Sequence, residues 1–429
     1  TLNFDALTLQ NKWLVSDGVQ HGCGFRMLRI NGNKANQTSG RGVALYAKRL
    51  NVRELLIHDC FSDGWYSEAG DLPGQQGWED LPEGDIGVYC RNNGGDGFKF
   101  RGPHDSRIVK LVSNENGGRG VIFDRVPGVY SGSCDVDFAH VYANTLAGII
   151  VDTNNNIRAD LLISENNFSE GIIWDGDNSQ VSSVQLYGNC RTSGSYQMEL
   201  SLVARANKFG IVQVKDDTSA VGGVSILGDD NEIATGVGFG TDTGTTAVNL
   251  GGFASGNRVN MTIQNYGVAL TNAGASEGND ITLSVRDCDL VFNNVAASFG
   301  NVYNINYNIT ALQNVLSGFA PASGDSESWN IRGRKGVSIG LSEDRKQSGA
   351  DVDLNTTAQQ IITIGLDLIT APRLEDVDFN LIYAGTNSNW SVDYFVLTSV
   401  TDSLATFKIK LGAVAAAAEV AKVSVRVKL

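Results

Sequence analysis

A short phrase recurs along the chain: "DGFKFRG" (96–102), "RGVIFDR" (119–125), "AGIIVDT" (147–153) and "EGIIWDG" (170–176). Its glycines, Gly97, Gly120, Gly148 and Gly171, stand 23, 28 and 23 residues apart. Between them runs a second strand-like segment that closes near an asparagine: "VKLVSN" to Asn114, "AHVYAN" to Asn144, "LLISEN" to Asn166 and "VQLYGN" to Asn189. An earlier copy runs from Gly42 ("RGVALY") through "LLIHDC" to Cys60. Weaker copies follow at "KFGIVQV", "GGVSILGDDN", "NRVNMTIQN", "NDITLSVRD" and "NVYNINYNIT". No unit carries a long helical periodicity, and none is large enough to bury its own apolar face. The copies must therefore stack on one another. A period near 23 residues fits one turn of a parallel β-helix, with Gly and Asn at the bends. There the bend amides can stack as a ladder between strands about 4.8 Å apart.

The two-residue strand period assigns directions. Counting from each glycine, the first and third positions point inward: Phe98 and Phe100, Val121 and Phe123, Ile149 and Val151, Ile172 and Trp174. The second and fourth point outward. The second gives Lys99, Ile122, Ile150 and Ile173, an apolar column suited to a covered face. The fourth gives Arg101, Asp124, Asp152 and Asp175. On the second strand the outward set is expected to be Val112, Tyr142, Ser164 and Tyr187, with His140 and Gln185 beside it.

The chain of 429 residues has 50 Gly and only 6 Pro, as many tight turns between short strands require. Its net charge of −14 argues against holding a nucleic acid through the global field. No apolar stretch approaches the roughly 18 residues of a membrane span. Cys23, Cys60, Cys90, Cys134, Cys190 and Cys288 are widely spaced without a CxxC pair, and read as buried free thiols. The scattered histidines indicate no transition-metal site, and no cofactor is expected. The acidic runs "DGDNS" (175–179) and "GDDNE" (228–232) lack full calcium-loop spacing. The chain opens on Thr1 without a signal-peptide pattern and reads as a fragment of something longer.

Residues 1–40 are expected to cap the helix and 41–317 to form it. An insertion at 64–85 brings Trp65, Tyr66, Trp78 and several carboxylates. Residues 318–350 read as a linker or last rung. Residues 351–429, with the alternating segments "IITIGLDLI", "VDFNLIYAG", "SVDYFVLTSV", "ATFKIKLG" and "AKVSVRVKL", read as a small antiparallel β-sandwich.

The "DGFKF", "RGVIFD" and "AGIIVD" rungs with Asn-rich bends resemble the pectate-lyase-like β-helix superfamily. A β-helix followed by a small β-sandwich is similar to bacteriophage tailspike proteins. The resemblance implies an all-β, right-handed parallel β-helix with a C-terminal β-sandwich, assembled as a homotrimer. It implies a virion tail location, extracellular, joined through a missing N-terminal part. The implied partner is bacterial surface polysaccharide, either O-antigen or capsule, which such proteins bind and cleave.

A glycosidase needs one protonated and one ionised carboxyl across the scissile bond. Asp152 and Asp175, with Asp124 as helper, are the candidate pair: strand spacing sets neighbours about 4.8 Å apart, and mutual repulsion raises one of them. The competing reading is that each Asp ends a strand as a turn former. Arg101, Trp65, Trp78, Tyr142, Tyr187 and Glu165 are the candidate substrate contacts, the aromatics offering a flat apolar face and a polar handle. Asp59 is a further carboxylate before a bend, and His58, His104 and His140 are candidate bases for a lyase. Lys99, Arg101, Arg107 and Lys110 form a basic patch that would serve an acidic glycan. Hydrolase, lyase and non-catalytic glycan adhesin remain open at this point.

Overall fold

The computed structural model describes residues 2–3, 7–10, 20–21, 24–48, 51–68, 86–102, 106–125, 133–152, 156–191, 195–215, 222–241, 245–251, 253–294, 301–309, 316–317, 328–335, 344–353, 360–365, 377–382, 391–400, 404–413 and 420–428. Among these, the β-branched and aromatic phrases form short strands. Each pairs in parallel with the strand one repeat away. The chain alternates between two sheets. The long-strand sheet, 15-stranded, includes Asn51–His58, Ile86–Arg91, Ser106–Asn114, Ser133–Tyr142, Asn156–Glu165 and Gln180–Tyr187. The short-strand sheet, 14-stranded, includes Trp65–Glu68, Phe98–Arg101, Val121–Asp124, Ile149–Val151, Ile172–Trp174 and Tyr196–Leu200. Strands within 1–40 join both sheets, with Leu2 opposite Ile30 and Leu7 opposite Val43.

The core lies between the sheets and follows the glycine phase. Phe98, Val121, Ile149, Ile172 and Met198 form one column, and Phe100, Phe123, Val151, Trp174 and Leu200 a second. All are at most 2% exposed. Each such side chain stabilises the fold by roughly 1.5–3 kcal/mol.

A buried asparagine ladder locks one corner. Nδ2 of Asn93, Asn116, Asn144 and Asn167 each donates to Oδ1 of the next member, at 2.9, 2.8, 2.9 and 2.8 Å. The same oxygen also accepts the backbone N–H of the preceding asparagine, as between Asn116 and Asn144 at 3.1 Å. Asn189 ends the run on Gln197 Oε1 at 2.8 Å. Asn116 lies two residues beyond the Asn114 noted in the sequence and Asn167 one beyond Asn166, while Asn144 and Asn189 stand at the expected place.

The ladder explains the glycines. A Cβ on Gly120 would stand 2.7 Å from both Asn144 Nδ2 and the Gly148 carbonyl oxygen, and one on Gly171 2.6 Å from Asn189 Nδ2. Only a residue without a side chain lets the amide of the next rung through.

Beyond Gln197 the ladder changes corner. Asn207, Asn231, Asn257, Asn279 and Asn301, just before the long strands, now donate head to tail at 2.9, 3.2, 2.9 and 2.9 Å. In the first half the locked connections 92–97, 115–120, 143–148 and 166–171 are equal in length, while those at the other corner (69–85, 102–105, 125–132 and 152–155) are not. In the second half the corner away from the ladder is the other one, and its connections shrink from 188–195 to 287–289.

Two outward assignments are corrected. Ser164 pairs with Val141 and Leu186, is fully buried, and donates Oγ to the Gly171 carbonyl at 2.8 Å. Counting from the bend rather than along the register had put it on the wrong face. The outward neighbours are Ile163 and Glu165. Ile122 heads outward but is only 5% exposed, whereas Ile150 and Ile173 are half-buried. Cys60, Cys90, Cys134, Cys190 and Cys288 are buried free thiols; burial pushes Cys60 up to about 12 and Cys288 to about 11, which keeps them inert. Cys23 lies outside the described residues.

A second compact unit, Val337–Leu429, is antiparallel. Asp344–Asp353 and Val377–Ile382 flank Val420–Lys428, while Gln360–Gly365 and Ser391–Val400 flank Leu404–Ala413. No helix among the described residues is long and apolar enough to cross a membrane.

Asn144→Ala removes the acceptor of Asn116 and a buried donor together. It should cost about 3 kcal/mol or more, at 1–3 kcal/mol per orphaned group. The neighbouring exposed Thr145→Ala should stay within about 0.5 kcal/mol. Denaturant midpoints compare the two, and equal effects would discount the ladder.

Candidate functional site

The carboxylate column sits where the short strands end and the chain turns toward the long-strand sheet. Arg101 pairs directly with Asp124, and the backbone N–H groups of Asp152 and Asp175 bond to Phe123 O and Val151 O at 2.9 and 2.7 Å. Asp124, Asp152 and Asp175 thus occupy successive rungs, but their surroundings differ. Asp124 Oδ2 takes Arg101 Nε at 3.1 Å and Lys99 Nζ at 3.3 Å. Two cations thus pair with this one carboxylate. Arg101 also donates to the Tyr66 hydroxyl at 3.3 Å, and Arg41 lies 3.7 Å over the Tyr66 ring. Asp152 Oδ2 accepts the Arg125 N–H at 3.4 Å. Asp175 is pushed above the usual carboxylate range, first by burial and then by the Asp152 charge, against a hydrogen bond from Ser201. Its Oδ1 is buried without a hydrogen-bond partner among the described residues. A protonated, neutral carboxyl is the form such a place favours.

Two more carboxylates adjoin, both missed in the sequence. Glu199 follows Ile173 in register. Burial raises it, and the charges of Glu170 and Asp175 raise it further. Glu170 is also pushed up by burial, but hydrogen bonds from Ser169 and Ser195 outweigh that and hold it low. The signal was present: "QMEL" (197–200) continues "GIIW" (171–174), with Gln197 in the glycine place. Neighbouring carboxyls whose environments push them apart are the arrangement that supplies an acid and a base together. The acidic runs further on form a different figure: Arg205 bridges Asp177 and Asp229 in the strand register, an alternation of charge rather than an oxygen cage.

Tyr142, Glu165 and Tyr187 come together on the other sheet. They are adjacent in register, in the outward column His58, Arg91, Asn114, Tyr142, Glu165, Tyr187. Beside it runs Leu56, Tyr89, Val112, His140, Ile163, Gln185. His140 Nε2 lies 3.4 Å from Glu165 Oε2, and the His140 and Tyr142 ring centroids are 4.8 Å apart. Tyr187 donates to Gln185 or Gln213. Six strands at about 4.8 Å make this run roughly 24 Å long. These side chains belong to the long-strand sheet, whereas the Asp column and Arg101 belong to the short-strand sheet.

One candidate contact is overturned. Trp65 is 0% exposed, stacks on Phe98 at 5.5 Å, and donates Nε1–H to Ser67 Oγ at 2.9 Å. It follows Gly64 and so takes the inward position of its rung. Trp78 and His104 lie outside the described residues. The basic patch is dispersed: Lys99 and Arg101 serve Asp124, Arg107 pairs with Asp137 at 2.8 Å, and Lys110 lies 5.2 Å over the Tyr89 ring.

Asp175 makes stability depend on pH in a definite sense. Its folded pKa is raised above the unfolded value, so its contribution is complete below the unfolded pKa and is lost as pH rises through the folded one. Asp175→Asn cannot ionise and escapes that loss. The variant should gain stability relative to the wild type between acid and neutral pH, read from denaturant midpoints in a pH series. A constant difference across the series would mean that Asp175 is not raised.

No family model matches the sequence, and no curated protein matches it. Solved structures similar to the chain include the tailspike protein gp49 of Pseudomonas phage LKA1 (12% identity, TM-score 0.33, 94% of this chain and 67% of that one). Tailspike protein 2 of Escherichia coli O157:H7 bacteriophage CAB120 has 10% identity, TM-score 0.32, and 92% and 59% coverage. The gp54 tailspike of Acinetobacter baumannii bacteriophage AP22, solved with A. baumannii capsular saccharide, has 10% identity, TM-score 0.28, and 93% and 67% coverage. A likeness this distant carries no argument about chemistry. The parallel β-solenoid rests on the strand register of the chain itself, and the solved structures reported as similar to it are phage tailspikes.

Proposed function

We propose that this β-helix is a tailspike that binds a bacterial surface polysaccharide, O-antigen or capsule, and hydrolyses it at the carboxylate column. The observation that carries the reading is Asp175: raised by burial and by Asp152, with one buried oxygen unpartnered among the described residues. Asp175 is the acid and protonates the glycosidic oxygen as the C–O bond breaks. Asp152, on the adjacent rung, is the ionised partner that attacks the anomeric carbon. Water then releases the sugar, giving its proton to Asp175, now the base. One strand spacing, about 4.8 Å, is near the roughly 5–5.5 Å of a retaining pair. Asp124 holds Lys99 and Arg101 beside the column, where their remaining donors meet sugar hydroxyls. Tyr142, Glu165 and Tyr187 bind glycan along the long-strand sheet. Assembly is a homotrimer closed by a C-terminal β-sandwich and attached to the virion tail by an N-terminal part.

Asp175→Asn and Asp152→Asn should each lower polysaccharide turnover by about 100-fold or more, measured as reducing ends released, with folding retained because the amide is isosteric. Wild-type rates in both variants would reduce the column to architecture. A rise in absorbance near 235 nm during digestion would replace hydrolysis by elimination, and no digestion at all would leave a binding protein. Sedimentation should give three times 45.8 kDa, and a monomer at micromolar concentration removes the trimer.

A further inference from the structure

A cavity of about 470 Å³ opens on the outer face of the long-strand sheet, over the strands Arg29–Asn31, Asn51–His58, Ile86–Arg91 and Ser106–Asn114. That volume lies in the range of small-molecule sites, roughly 300–1,000 Å³. Leu56, Val112 and the rings of Tyr89 and Tyr142 give it apolar surface, while Arg29, Asp59 and Glu115 bring charge to it. Flat apolar faces edged by hydrogen-bonding groups match a sugar ring, which is apolar on its faces and polar at its edge.

The charged groups are not equivalent. Arg91 is occupied, its Nε and Nη2 donating to the two carboxylate oxygens of Glu115 at 3.1 and 3.5 Å. Arg29 is held differently. Its Nε–H donates to His58 Nε2 at 2.7 Å, which puts the imidazole proton on Nδ1, 2.6 Å from Asp59 Oδ2. Asp59 also accepts from Asn92 Nδ2, and Asn92 is fixed in turn by Lys34 Nζ at 2.6 Å to its carbonyl and 2.7 Å to Oδ1. His58 itself is only 7% exposed. The relay Lys34–Asn92–Asp59–His58 therefore fixes Arg29 through one nitrogen. Among the described residues, that bond is the only use made of five guanidinium donors. A guanidinium fixed at Nε with its terminal nitrogens unclaimed is preorganised for a two-point grip on a planar anion.

We propose that this cavity is a subsite for a carboxylate-bearing sugar, with Arg29 as its anchor and the tyrosine rings as its stacking surface. The proposal rests on the reading of the chain as a glycan-binding protein and is independent of the residues that cut. It identifies the recognised glycan as acidic, although the chain's net charge is −14. The anion is met by one local fork rather than by the global field.

The test is a titration of the full chain, labelled at arginine for NMR, with glucuronate and with N-acetylneuraminate; glucose and the methyl ester of glucuronate are the neutral controls. The expected result is a saturable shift of the Arg29 side-chain signals with at least one acid, and affinity at least about tenfold weaker for the controls. Arg29→Gln should bind that acid at least about tenfold more weakly at an unchanged melting temperature. Arg29→Lys, which keeps the charge and loses the fork, should fail nearly as badly. Equal response to glucose and glucuronate, absence of saturation with both acids, or wild-type affinity in Arg29→Gln would overturn the subsite. Repeating the titration on Asp175→Asn separates the two readings, since loss of cutting there leaves acid binding at Arg29 in place.

Discussion

The asparagine ladder is the interaction on which the other regularities depend. Each buried amide uses its oxygen to satisfy two donors of the preceding rung and its nitrogen to reach the next. A parallel solenoid has no hairpin to fix its register, so the pitch must be set at the bends. A one-residue slip would turn every core side chain outward, and it would also break a fully satisfied buried network, where the penalty for an unpaired group is largest. The glycines follow from the same contact, because the amide of the next rung occupies the space that a Cβ would need.

Once register is locked, chemistry comes from repetition. Like positions on successive rungs are forced within one strand spacing whatever their charge. Asp152 beside Asp175, with Glu199 and Glu170 close by, is a crowding that an irregular surface would relax. Here the backbone prevents relaxation, so protonation has to absorb it. The same constraint explains the quiet parts of the column: at Asp124 the neighbours are Lys99 and Arg101, and the charge is simply neutralised. On the other sheet, stacking assembles rings and amides instead of acids.

The fold was legible because glycine phase and strand period are both local. Phe98, Phe123, Val151 and Trp174 could be placed inward by counting alone. Counting failed where the phase marker changed. Trp65 was read as part of an insertion, although Gly64 before it marks an ordinary rung. Ser164 was counted from the bend, whereas its pairing to Val141 and Leu186 decides its face. Glu199 escaped because Gln197 stands where glycine was sought, at the point where the ladder changes corner. The adjacent His58 and Asp59 were visible in the sequence, but Arg29, which completes the relay, comes from the preceding turn, 29 residues away. Sequence distance carries no hint of that proximity.

The change of corner also decides where such a molecule can grow. In the first half the locked corner holds one length, six residues in each of the connections 92–97, 115–120, 143–148 and 166–171, and in the second it takes five or seven, each keeping its amide in the chain of donors. The other corner carries no such ladder among the described residues, and its connections range from 152–155 to 69–85 in the first half. The two halves therefore offer grafting sites on opposite edges of the solenoid: ahead of the long strands up to about Asn189, and behind them afterwards. New loops acquired by recombination, or fitted by an engineer, would accumulate as two separate crests. A lineage changing its receptor could rebuild one crest while leaving the other, and the shaft beneath both, untouched.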